Sequence, residues 1–83
     1  MRREKYRGAE IVVRSLSLRD EKRWRSRVNL ELHSGNDVIV TSTVESAATY
    51  SSESESLDAG LEDGKKMLDR RADGEHVYTT VKA

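Results

Sequence analysis

At 83 residues the chain has room for one domain with one thin core, and not for a core plus a deep ligand cavity. Apolar residues make up 35% and charged residues 36%, but the formal net charge is +0, so the self-repulsion that keeps many charged chains unfolded is missing. The absence of cysteine excludes disulfides and thiolate metal sites.

A secreted domain this small usually needs such staples, so a reducing, cytoplasmic setting is the expectation. The start, Met1–Arg7, is charged and lacks the apolar stretch of a signal peptide, and no run reaches membrane-spanning length. The zero net charge hides an asymmetry. Residues 1–27 hold ten Lys/Arg against four acids, and residues 28–83 hold five against eleven. Either one half folds against the other or a basic face meets an anionic partner.

Residues 9–18 carry the β-branched run Ile11-Val12-Val13 in their first half, and then Leu16 and Leu18 alternate with serines. The pattern predicts a strand with a bulge near Arg14, where the alternation slips by one. Arg19–Lys22 is a charged turn. The clearest strand is 23–33. Trp24, Ser26, Val28, Leu30 and Leu32 share one face, and Arg23, Arg25, Arg27, Asn29, Glu31 and His33 the other. Period two held this long predicts a half-buried antiparallel strand. A turn follows at 33–37, where Gly35 and Asn36 tolerate positive φ. A third strand, rich in Val, Ile and Thr, is expected over 38–44. Residues 45–52 lose the pattern and read as a connection.

Ser52 and Glu55 have capping-box spacing, which starts a helix over about 53–72. Leu57, Gly60, Leu61, Gly64 and Leu68 form its apolar stripe, with acids near its start and bases near its end, as the helix dipole favours. Two interior glycines cost roughly 2 kcal/mol against alanines. Their place on the stripe, one turn apart, predicts a helix lying low on the sheet. Gly74 is placed to end the helix. The tail 75–83 contains Val77-Tyr78-Thr79-Thr80-Val81, either a short strand or a frayed, flexible end.

No catalytic or metal-binding constellation emerges. His33 and His76 lie outside any motif, the serines lack a nucleophile-elbow context, and the glycines at 60, 64 and 74 do not sit between a strand and a helix start. The expectation is a non-enzyme without cofactor or metal. The one row that suggests binding is Arg23, Arg25 and Arg27, on one strand face at about 6.8 Å spacing, with Arg14 near in sequence. Such a row can follow a phosphate backbone. It can equally decorate a solvated sheet and pair with acids such as Glu10 or Glu45.

Tyr6-Arg7-Gly8, Ile11, Trp24, Gly60 and Gly64 resemble the layout of small bacterial proteins of unknown function, which open Tyr-(Arg/Lys)-Gly-x-x-(Ile/Val), carry a Trp at the second strand and end in a helix with small residues at four-residue spacing. That resemblance implies a fold and no activity. In the order of its elements, the chain over 6–72 also resembles plant-type AP2 and phage-integrase amino-terminal DNA-binding domains, in which a three-stranded sheet backed by one helix reads DNA. The resemblance would make Arg23, Arg25 and Arg27 sheet-face contacts. The first strand is longer here, and the aromatic and alanine-rich signature around the helix start is missing.

The expected architecture is α+β, in the order β-β-β-α: a three-stranded antiparallel sheet packed on one C-terminal helix within a single domain, 1–74. The expected function is that of a protein-interaction module, through self-association or another protein. The alternative is weak nucleic-acid binding, with Arg14, Arg23, Arg25 and Arg27 as candidate anion contacts. No membrane partner is expected.

Overall fold

The computed structural model describes residues 1–72, apart from the Glu21 side chain; the expected helix stop at Gly74 and the tail 75–83 lie outside the described residues. The chain forms β1 (Arg2–Tyr6), β2 (Ala9–Leu18), a 3₁₀ turn (Arg19–Glu21), β3 (Arg23–Ser34), β4 (Asp37–Glu45) and α1 (Glu53–Ala72). The four strands make one antiparallel sheet in chain order, β1-β2-β3-β4. The α+β class and the C-terminal helix are as expected, and the strand count is not: the sheet has four strands rather than three.

The additional strand is β1. Its residues are mostly charged, and ion pairs to the helix replace apolar burial along its inner face. Arg2 pairs with Asp58, Glu4 with Lys65 at 2.9 Å, and the Tyr6 hydroxyl donates to Asp69 at 2.8 Å. Arg7 also donates to Asp69 at 2.7 Å. Period two on the strand meets the helical repeat on α1, so a charged edge strand is strapped in place. The two-residue turn Arg7-Gly8 has φ of 49° and 81°, the type I′ signature whose twist suits a hairpin.

The expected bulge near Arg14 is absent. Register between β2 and β3 runs unbroken from Glu10↔Glu31 to Leu18↔Arg23. The inner face changes chemistry instead of slipping: after Ile11 and Val13 it continues with Ser15, whose hydroxyl meets the buried Ser56 of α1 at 2.6 Å. Leu16 then lies opposite Arg25 on the outer face. The one register shift falls between Leu30 and Glu31, where Thr41 is the extra residue of β4 and donates to the Leu30 carbonyl at 3.2 Å.

The core joins Ile11, Val13, Val28 and Leu30 of the sheet to Leu57 and Leu68 of α1, with Leu61 and Met67 at its margin. The glycines act as spacers. A Cβ on Gly64 would stand 2.6 Å from Ile11 Cγ2, and one on Gly60 would collide with Val13 Cγ1 and lie 3.2 Å from Ser26 Cβ. Two expected core positions are less buried. Trp24 is half-buried and bridges to Tyr50 through paired backbone bonds of 2.8 and 2.7 Å, while Leu32 is exposed beyond the core. Ser52 accepts the Glu55 N–H at 3.1 Å and so caps α1. The Ser51 and Ser52 hydroxyls reach the Glu55 carboxylate, and the Ser51 bond in particular holds it below its ordinary pKa.

Candidate functional site

The outer sheet face, opposite α1, carries the candidate arginines, and the structure distributes them unequally. Arg23 is tied down, its guanidinium donating to the Thr49 hydroxyl and carbonyl at 3.0 and 2.9 Å. Arg27 forks onto Glu45 at 3.1 and 2.7 Å. Arg25 is half-buried, and its Nε has no partner. Arg14 is exposed and stands directly opposite Arg27. The row is thus partly consumed by internal bonds. It is also not simply wet, because Val12, flanked by Arg3 and Asn29 across the register, is only 1% exposed on this face. Long polar side chains can cover apolar surface with their stems while their heads stay in water.

A cluster missed at the level of sequence lies farther along the same face. Register sets Glu10 against Glu31, an unfavourable like-charge pair. Arg3 resolves it by reaching Glu10 at 3.0 Å and Glu31 at 3.4 Å, and His33 Nε2 approaches the same oxygens at 3.0 and 3.3 Å. Donor atoms of Glu10, Glu31 and His33 lie within 4.8 Å of one another, close enough to share a cation, but Arg3 already supplies positive charge to both carboxylates. Beside the cluster is an open depression of about 560 Å³ against the Arg7-Gly8 turn, lined in part by Lys5, Glu10 and His33. No residue there is poised as nucleophile and base. The signal for this cluster was the cross-strand register, which a single sequence leaves open.

The two sheet edges differ sharply. In β1, four of five residues are charged, the usual protection of an open edge. In β4, charge occurs only at the ends, Asp37 and Glu45, and the interior reads Val-Ile-Val-Thr-Ser-Thr-Val. Val38 and Ile39 are each 53% exposed and Val40 50%. α1 packs over β2 and β3 and touches β1. At β4 its reach is polar, with Arg71 donating to Thr41 at 3.3 Å and to Ser42. Among the described residues nothing pairs with the outer side of β4.

Among the described residues no helix is long and apolar enough to cross a membrane. Comparison with protein-family models, with curated proteins and with solved structures finds no match.

Proposed function

We propose that this chain is a non-catalytic protein-interaction module whose contact is the outer edge of β4. One observation carries the reading: a nine-residue strand whose interior is uncharged and whose Val38, Ile39 and Val40 stand about half in water, beside an opposite edge guarded by charge. An exposed strand edge of this kind is a template for an added strand, with the backbone supplying hydrogen bonds and alternate side chains supplying selectivity. The test is amide hydrogen exchange of the chain below about 1 μM, alone and with a synthetic alternating Thr-Val peptide as a generic strand probe. Protection of the Val38 and Val40 amides on adding peptide is the expected result. Unchanged exchange at saturating peptide defeats the reading.

A second reading, weak nucleic-acid binding, rests on Arg14, which faces Arg27 across the register and forms no ion pair among the described residues. An anionic backbone laid along this face would relieve the like-charge contact. The neighbouring Glu10, Glu31 and Glu45 oppose it, so the interaction is expected to be weak and to fade with salt.

A further inference from the structure

We infer that the strand β4 accepts is β4 of a second copy of this chain, paired antiparallel about a two-fold axis at Ile39; this rests on the reading of β4 as an open interaction edge. Ser34 and Asp37 close the two-residue turn Gly35-Asn36. Paired residues in an antiparallel ladder alternate between bonding the neighbour and facing away. From that closing pair, Val38 and Val40 turn their N–H and C=O groups toward the open side. A self-pairing that sets Val38 opposite the second copy's Val40 therefore brings two outward-facing backbones together, with the Ile39 pair on the axis. Apolar meets apolar at all three positions.

The charges agree with this register. Asp37 of one copy falls opposite Thr41 of the other, where Arg71 already sits on the Thr41 and Ser42 hydroxyls. Asp37 and Ile39 lie on the helix side of the sheet, as does Ser42 opposite Leu30, so each Asp37 meets one Arg71 guanidinium of the other copy and the dimer has two such pairs. Centring the pair on Thr41 instead would set Asp37 against Glu45 and place the extra residue at the seam. Pairing β4 with β1 of the next copy would press apolar residues onto Arg2, Arg3, Glu4 and Lys5, and would propagate rather than close. A seam of this length is at the small end of specific interfaces, below about 1,200 Å², so the association is expected near the micromolar range.

The experiment is sedimentation of the full chain across a concentration series, with three sets of variants. The parent is expected to shift from monomer to dimer. Val40→Lys is expected to weaken dimerisation at least about tenfold with the far-UV spectrum unchanged, since Val40 is half exposed. Asp37→Lys and Arg71→Glu each weaken it, and the two together restore it. In Ile39→Cys the axis sets the two thiols opposite one another, about 4.5–5.5 Å between Cα atoms and within disulfide reach. With no other cysteine in the chain, oxidation should yield a covalent dimer that Val44→Cys does not give. A chain that stays monomeric while the peptide still protects Val38 and Val40 overturns the self-pairing and leaves the interaction edge standing. A monomer whose Val38 and Val40 amides are protected without peptide has no open edge, which overturns both, as does a dimer indifferent to Val40→Lys whose edge ignores the peptide.

Discussion

Replacing Gly60 by alanine puts two known effects in opposition. Alanine favours the helix by about 1 kcal/mol over glycine at an interior position. Against this, the new methyl would collide with Val13 Cγ1, lie 3.3 Å from Val13 Cγ2 and lie 3.2 Å from Ser26 Cβ. Neither neighbour can step aside: Val13 is β-branched, Val13 and Ser26 are both 0% exposed, and a Cβ moves only with its backbone. Overpacking a tight core costs about 1–3 kcal/mol, and three such contacts place this case at the upper end. The net expectation is a loss of about 1–2 kcal/mol, or a melting point lower by roughly 5–15 °C in a domain of this size. Urea and thermal unfolding followed by circular dichroism measure it. Val13→Ala should cost about 2 kcal/mol alone, through two lost methyls and a cavity. Combined with Gly60→Ala it should cost clearly less than the sum, with a coupling of about 1 kcal/mol or more. If Gly60→Ala alone proves more stable than the parent, the helix does not lie low on the sheet and the spacer argument is wrong.

The Asp69 carboxyl, held below its ordinary pKa by the Tyr6 hydroxyl and then by Arg7, ties α1 to the first hairpin. A depressed folded value means the unfolded chain binds more protons, so this stability is present above about pH 4 and lost as pH falls through the folded value. Asp69→Asn should flatten the acid limb of the stability curve, and an unaltered limb would count against the tie. Ser26 is fully buried with an unpartnered hydroxyl, so Ser26→Ala should be neutral or stabilising by up to about 1 kcal/mol. Ser56→Ala, which removes bonds to the Glu53 carbonyl and Ser15, should instead cost about 1 kcal/mol in the same urea titration. For nucleic acid, duplex binding across a salt series should be weak in the parent and fall in Arg14→Glu and Arg25→Glu; affinity that ignores both changes removes that reading.

Elements with a strong period were legible from sequence. The alternation through β3 and the capped, striped helix placed both elements, and Gly60 and Gly64 foretold the depth of docking before any register was known. β1 was not legible, because its inner positions are Arg2, Glu4 and Tyr6. Their partners, Asp58, Lys65 and Asp69, lie more than fifty residues away, so the strand has no local apolar signature. The type I′ turn at Arg7-Gly8 was the one clue to a hairpin. Arg14 misled for the opposite reason: a change from apolar to serine contacts across the same face looks like a slip in phase. The arginine row was visible, but the acids and carbonyls that consume Arg23 and Arg27 are set by strand register and by the course of 46–50. The contrast between the two edges depends likewise on knowing that β1 exists.

The sheet follows the order in which the chain is made, and each of its three pairings closes through a short turn. Only the helix must return across the molecule, as its bond from Asp69 to Tyr6 does over 63 positions. Local hairpins carry little loop-closure entropy and the helix carries most of it, so the meander should assemble first and the helix settle after the rate-limiting barrier. Side chains trimmed along the glycine seam would then hasten unfolding while leaving the folding limb of a chevron almost still. A molecule built this way loses its lid before its sheet.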